Sequence, residues 1–150
     1  MLVKDVMSQR VVTVAPEESA AVAARLLARY NVGALPVCTS EGRLKGMVTD
    51  RDIVLRCVAA EENPERTRVS EIMTRRVISV GAQEQASTAT ELMAREQIRR
   101  LPVEENGKVI GMVSLGDFAK APDFTTEAAN ALCEISENTK SRQTASLFLS

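Results

Sequence analysis

Histidine and tryptophan are absent from the sequence, which has one tyrosine and three phenylalanines. Without histidine, the chain lacks the commonest general base of enzymes and a frequent ligand of zinc. The three cysteines are far apart and odd in number, so we interpret them as reduced structural thiols and predict no metal site. The sequence also has no P-loop and no nucleophile adjacent to a base. We therefore predict that the protein is not an enzyme.

Long apolar runs and an excess of one charge are missing as well. No segment approaches the roughly 20 apolar residues that a membrane span needs. The N-terminus has charged and polar residues where a signal peptide would be apolar. The net charge of -1, with acids and bases interspersed, gives no field that would attract nucleic acid or an anionic membrane. We expect a cytoplasmic protein that has neither of these partners.

An internal repeat occupies most of the chain. The segment VKDVMSQRVVTV lies 66 residues before VSEIMTRRVISV, and after one deletion an offset of 65 aligns GMVTDRDI with GMVSLGDF. Such self-similarity indicates two copies of one structural unit. We predict a first repeat over residues 1–66, a second repeat over 67–121, and a C-terminal helix and tail over 122–150.

Each repeat has the pattern of a strand, a helix, two strands and a second helix. VVTV and VISV are β-branched runs of strand length, and Ser19 and Asn31 are suitable ends for the helix between them. The Asn106-Gly107 pair predicts a hairpin in the second repeat. Because a three-stranded unit of this size is marginal alone, we predict an α+β fold in which the two repeats pack with pseudo-twofold symmetry.

The LPV strand, the Gly-x-x-[Thr/Ser]-x-x-Asp ending and the tandem order resemble the cystathionine β-synthase (CBS) domain family over about four-fifths of the chain. The resemblance implies a Bateman module, in which two CBS repeats bind adenosine-containing ligands in the clefts between them and modules often dimerise. It implies a regulatory ligand such as AMP, ADP, ATP or S-adenosylmethionine.

Two interpretations fit the residues that end each octet. Thr49 and Ser114 stand where a strand gives way to a helix, and Asp52 and Asp117 follow three residues later. Locally, this spacing predicts a capping box that satisfies free N–H groups of the helix. The resemblance instead implies that the hydroxyls bind phosphate and the carboxylates bind ribose. The glycine that begins each octet fits both, because it lets either a backbone or a ligand approach closely.

The residues before each LPV differ between the repeats. The first repeat has Gly33 and Ala34, whereas the second has Arg99 and Arg100. Family members that bind nucleotides often have basic residues here, so the resemblance makes these arginines candidates for phosphate binding. We expect phosphorylated ligands to bind more tightly beside them. The alternative is that they are solvated charges that protect an edge strand.

Adenine recognition in the family uses mainly the backbone of the first strand. The matching residues in this sequence are Thr13, Val14 and Ala15 in the first repeat and Ser79, Val80 and Gly81 in the second. A buried strand end would have the same composition.

Beyond the resemblance, Thr125 or Thr126 can cap a short helix whose apolar stripe consists of Ala128, Leu132 and Ile135. This stripe needs a surface to pack on, either within the module or across a dimer.

The sequence favours a stand-alone regulatory module that binds an adenosine-type ligand and signals to a partner protein through the geometry of a homodimer. Ala20, Ala23, Ala24 and Leu27 on the first helix are predicted to remain available for this dimer. The alternative is a dimerising scaffold without ligand, in which the Thr and Asp residues serve only as caps.

Overall fold

The computed structural model describes residues 1–121 and 126–136, which form two compact units. The repeat-1 unit contains residues 10–78 and 104–110, and the repeat-2 unit contains 1–9, 79–103 and the described residues from 111 onward. The predicted division at residue 66 follows the sequence repeat. In the structure, by contrast, the first segment of each repeat belongs to the compact unit of the other repeat.

Helix α1, Ala20–Tyr30, opens the repeat-1 unit and has the predicted caps. The Ser19 hydroxyl accepts a hydrogen bond of 3.2 Å from the N–H of Val22. Asn31 follows the helix in the left-handed conformation, with φ 51°. Asparagine tolerates this conformation better than most residues, which explains why the helix ends there.

One face of α1 is buried more completely than we predict from the sequence. Ala20, Ala23 and Leu27 are at most 6% exposed and belong to the core of the repeat-1 unit. The prediction that these three side chains remain available for a homodimer is therefore wrong. Their spacing of three and four residues places them on the single face of the helix that turns toward the core.

The hairpin that follows α1 is antiparallel, with Leu35 opposite Val48. Its elements and those after it are β1 Ala34–Cys38, β2 Leu44–Thr49, α2 Asp50–Ile53, a π-helical turn Val54–Val58, and α3 Val69–Ile72. Leu35, Val37 and Val48 are almost completely buried and form the centre of the core.

The strand expected at VVTV is reduced to one parallel bridge between Val14 and Val37. The N–H of Val14 donates to the carbonyl of Pro36 at 3.1 Å, and the N–H of Cys38 donates to the carbonyl of Val14 at 2.9 Å. The next bond of a parallel ladder would require an N–H at Pro36, which proline lacks. On the other side of the bridge the next bond would require an N–H at Pro16, whose counterpart in the second repeat is Ala82, so prolines at both positions limit this strand to one bridge.

The repeat-2 unit contains a three-stranded sheet in the order β3-β4-β5. Its elements are a 3-10 turn Val3–Asp5, β3 Val80–Gly81, α4 Ala86–Glu96, β4 Arg100–Glu105, β5 Lys108–Ser114 and α5 Leu115–Ala119. The tip of the β4-β5 hairpin belongs to the repeat-1 unit. Asn106 and Gly107 form the turn with φ of 53° and 78°, which confirms the predicted hairpin. Helices and strands together confirm the α+β fold class.

Residues 126–136 form a final helix, α6. Its buried side chains are Ala128, Ala131 and Ile135, whereas Leu132 is 43% exposed. The predicted stripe is therefore wrong at Leu132, because the buried face is rotated toward the position one residue earlier. The predicted tail lies outside the described residues. Across the part of the chain that is described, no helix is both long enough and apolar enough to cross a membrane.

Candidate ligand site

The hydroxyl and carboxylate residues form a capping box in both repeats. The Thr49 hydroxyl accepts a bond from the N–H of Asp52 at 3.0 Å, and Asp52 Oδ2 accepts one from the N–H of Thr49 at 3.0 Å. Ser114 and Asp117 make the same pair of bonds, at 3.2 and 2.8 Å. The capping interpretation is therefore confirmed. It leaves room for a ligand, because a hydroxyl that accepts one bond can still donate its hydrogen, and each carboxylate has a second oxygen.

The first glycine of each octet is required by the packing of a protein segment. A Cβ at Gly46 would lie 2.8 Å from both Met73 Sδ and the Thr74 carbonyl oxygen. Met47 and Thr74 exchange two backbone hydrogen bonds of 3.0 and 2.8 Å at this point. Gly111 is equally close to the first segment of the other repeat. Of the two interpretations of these glycines, the structure supports close backbone approach.

The backbone brings Arg99 next to the second capping box. The N–H of Leu115, the first residue of α5, donates to the carbonyl of Arg99 at 3.0 Å. Arg99 and its neighbour Arg100 are both exposed, and neither makes an ion pair within residues 1–121 and 126–136. The backbones of Arg99, Arg100, Ser114 and Asp117 therefore lie in one region of the repeat-2 unit, and successive side chains of an extended segment point to opposite faces, so one of the two arginines is the candidate for binding an anion there.

Repeat 1 has the same backbone arrangement without the charge. The N–H of Asp50 donates to the carbonyl of Gly33 at 3.1 Å, which is the counterpart of the bond at Arg99. Gly33 and Ala34 have no side-chain donor. Asp52 differs from Asp117 in a further way, since Arg56 Nη1 lies 3.6 Å from Asp52 Oδ1. Sequence reasoning missed Arg56, although its position four residues after Asp52 on a helix was a usable signal.

The two segments expected to bind adenine, residues 13–15 and 79–81, lie beside the β-strands of their units. In repeat 1, Thr13 is exposed, Ala15 is half-buried, and the N–H and carbonyl of the buried Val14 are both bonded to β1. A ligand would therefore have to use the backbone on either side of Val14. In repeat 2, Ser79 is half-buried, Val80 is buried, and the N–H of Gly81 donates to the Glu84 carboxylate at 2.9 Å.

The cysteines lie outside these clusters. Cys38 and Cys57 are buried and Cys133 is exposed. Burial, followed by the nearby negative charge of Glu104, raises the pKa of Cys38 from 9.0 to about 11, so its thiol stays protonated at neutral pH. The described residues contain no group of three or more side chains suited to hold a metal ion.

An apolar surface distinguishes the helices of the repeat-1 unit. A shallow groove of about 350 Å³ is lined by Ala24, Leu27, Ala28, Val32, Asp50, Ile53 and Val54. Beside it, Val54, Leu55 and Val58 of the helix after β2 are 54%, 50% and 61% exposed. Contiguous apolar surface of this kind is typical of sites that bind another protein.

The repeat, its hairpin and its capped helix define the CBS domain. The family model for the CBS domain matches twice, at residues 3–58 and 69–123, and the chain belongs to this family. It is 42% identical over 134 residues to the CBS domain-containing protein YhcV of Bacillus subtilis, covering 89% of this chain and 94% of that protein.

Two solved structures are informative neighbours. The CBS domain pair of protein MJ0100 in complex with 5′-methylthioadenosine and S-adenosyl-L-methionine has a TM-score of 0.72 and 30% identity, covering 80% of this chain and 94% of that one. A hexameric CBS-CP12 protein from bloom-forming cyanobacteria has a TM-score of 0.72 and 28% identity, covering 83% of this chain and 70% of that one. CBS pairs similar to this chain thus include one with adenosine-type ligands and one that is an oligomer.

Proposed function

We propose that the protein is a regulatory CBS pair that binds an adenosine-type ligand at the Ser114–Asp117 region of the repeat-2 unit. The observation that supports this proposal is the bond from the N–H of Leu115 to the carbonyl of Arg99, because it brings the backbone of Arg99 beside the helix that Ser114 and Asp117 cap. The ligands of the MJ0100 pair share an adenosine moiety, which supports the ligand class. AMP, ADP, ATP and S-adenosylmethionine all contain it.

Each group in this region has a role that suits its chemistry. The Asp117 carboxylate accepts hydrogen bonds from the ribose hydroxyls, because it keeps one oxygen outside the cap. The Ser114 hydroxyl and one of Arg99 and Arg100 bind phosphate, and the arginine bond is the stronger because it is charge-assisted. The backbone around Ser79, Val80 and Gly81 reads adenine. In repeat 1, the equivalent set is Thr49 and Asp52 with the backbone around Thr13, Val14 and Ala15.

Signalling in this proposal uses a homodimer and a partner protein, without catalysis. The exposed apolar side chains Val54, Leu55 and Val58 lie on one helical surface of the repeat-1 unit and suit a second copy of the chain. Self-association of a related CBS protein, the CBS-CP12 hexamer, supports this assignment. A ligand would change the geometry of the dimer, and the partner protein would recognise the changed dimer.

Calorimetric titration with AMP and with adenosine tests the ligand site. Replacing Arg99 and Arg100 by alanine should weaken AMP by about 10- to 150-fold and leave adenosine nearly unchanged, because only AMP has a phosphate. Asp117→Ala should weaken both ligands. The double variant Arg10→Ala/Arg66→Ala removes the same charge at exposed positions of the repeat-1 unit and should change neither. Equal losses of AMP and adenosine in the Arg99/Arg100 variant would contradict the phosphate role.

The ligand-free scaffold is the second candidate, and the capping boxes favour it because both carboxylates already satisfy helix N–H groups. A thermal-shift screen separates the two candidates. A ligand at 100 times its dissociation constant adds about 2.7 kcal/mol to stability and raises the unfolding temperature. If adenosine, AMP, ATP and S-adenosylmethionine at millimolar concentration all leave that temperature unchanged, the scaffold is the better description.

A further inference from the structure

Arg56 connects the candidate ribose carboxylate of repeat 1 to another segment of the same unit. It lies in the π-helical turn Val54–Val58, which is defined by the bond from the N–H of Ala59 to the carbonyl of Val54 at 2.8 Å. Helical turns of this type are rare and occur often at functional sites. One nitrogen of its guanidinium, Nη1, approaches three acceptors.

The strongest of these contacts holds the end of α3. Arg56 Nη1 donates to the carbonyl of Ile72 at 2.9 Å and to the Thr74 hydroxyl at 3.4 Å. Ile72 is the last residue of α3, so its carbonyl has no partner within the helix and an arginine satisfies it. Because this contact fixes the guanidinium, the third approach, 3.6 Å from Asp52 Oδ1, is held in place as well.

Asp52 therefore has one oxygen in a hydrogen bond and the other in an ion pair. Oδ2 accepts the capping bond from Thr49, and Oδ1 faces Arg56. A ribose needs two acceptor positions for its neighbouring hydroxyls, and the side chain of Asp52 is only 12% exposed. The guanidinium places its positive charge 3.6 Å from the oxygen that the cap leaves available, without a hydrogen bond to it.

Repeat 2 lacks this contact. The offset of 65 places Ala121 at the position of Arg56, and alanine cannot donate a side-chain bond. Asp117 makes the same cap through Oδ2 but no ion pair with any residue in the described ranges. Both carboxylates thus cap a helix, but only the second oxygen of Asp52 has an ion-pair partner among the described residues.

We propose that Arg56 competes with ribose for Asp52, so that adenosine-type ligands occupy the repeat-2 site first and bind weakly in repeat 1. The proposal rests on the proposed function, because it requires that the carboxylates bind ribose. It adds a specific cause for the difference between the sites that is independent of Arg99 and Arg100.

Calorimetry with adenosine tests this inference, since adenosine has ribose but no phosphate. In an Asp117→Ala background, which leaves only the repeat-1 site, Arg56→Ala should strengthen adenosine binding by about two- to fivefold, the range that a half-exposed ion pair contributes. Arg56→Met, which keeps an unbranched side chain without the charge, should give the same gain if the alanine variant folds poorly. Arg56→Lys keeps a charge near Asp52 and should give a smaller gain. Arg66→Ala, an equal charge change at an exposed position, should give none.

The outcomes separate this inference from the proposed function. If the unmodified protein binds neither adenosine nor AMP, the proposed function fails. If the unmodified protein binds adenosine but Arg56→Ala and Arg56→Met give no gain in the Asp117→Ala background, Arg56 does not compete for Asp52. Weaker adenosine binding in both variants would also overturn the proposal, because it would show that Arg56 supports the ligand.

Discussion

The helix that follows the octet is built differently in the two repeats. In repeat 1 it runs from Asp50 through a π-helical turn to Val58, and its later residues expose apolar side chains. In repeat 2 the equivalent helix, α5, ends at Ala119 and is followed by Lys120 at the position of Leu55. Within residues 1–121, the extended apolar surface on this helix is therefore a feature of repeat 1.

The charged groups have the opposite distribution. Arg99 and Arg100 in repeat 2 have no ion pair among the described residues, whereas repeat 1 has Gly33 and Ala34 at these positions and an arginine facing Asp52. Both repeats share three structural features, namely the hairpin, the close-packed glycine and the capped helix. A duplicated fold can thus keep its structural contacts while other side chains differ between the copies, and the separate roles that we propose are ligand binding in repeat 2 and association in repeat 1.

Leu55→Glu should have the largest effect, because it places a charge on the apolar surface proposed for the homodimer. A central interface residue contributes about 2 kcal/mol or more, so the dissociation constant of the dimer should rise by roughly 30-fold or more. Light scattering over a dilution series measures this change. The matched variant is Lys120→Gln, which makes the same change in net charge at the equivalent position of repeat 2 and should leave the dimer intact. Equal dissociation in both variants would remove the distinction between the two helices.

Gly46→Ala and Gly111→Ala should each lower the free energy of unfolding by about 1–3 kcal/mol, because the added Cβ overlaps a methionine and a backbone carbonyl. Similar losses in the two variants are expected, since the device is the same in both repeats. Urea denaturation measures the change. Gly116→Ala is the control, because its Cβ would meet no atom closer than 3.6 Å and alanine favours a helix. A loss at only one of the two packed glycines would show that the repeats do not share this contact.

The sequence was sufficient for features that depend on neighbouring residues. The caps Ser19 and Asn31 and the Asn106-Gly107 turn follow from local chemistry and are confirmed. The repeat, which the sequence shows by similarity to itself, is confirmed by the two matches to the CBS domain. Both capping boxes were also readable, although the shorter reach of aspartate made them look less suitable. The ligand roles of these residues remain a prediction.

Other features depend on contacts between distant segments. The approach of Thr74 to Met47, which makes Gly46 necessary, joins two segments whose pairing leaves no periodic signal. The burial of Ala131 in place of Leu132 depends on which face of α6 meets the rest of the chain, and neighbouring faces of a helix fit the same pattern. The loss of the first strand could in principle be predicted from the sequence, since neither Pro16 nor Pro36 can donate to a second bridge.

The smallest effect that we predict concerns the residue after LPV, which is Cys38 in repeat 1 and Glu104 in repeat 2. Burial and then Glu104 raise the pKa of Cys38 from 9.0 to about 11. Because the folded protein holds this proton more tightly than the unfolded chain, the resulting stabilisation is fully present below pH 9 and is lost as the pH rises toward 11.

Glu104→Gln removes the smaller of the two causes, so the pKa of Cys38 should fall only part of the way toward 9.0. The pH dependence of alkylation at each cysteine, followed by mass spectrometry, measures this shift. The exposed Cys133 serves as the internal reference and should react at the same rate in both proteins. If the alkylation profile of Cys38 is unchanged in Glu104→Gln, its pKa is set by burial alone, and the two equivalent positions do not interact.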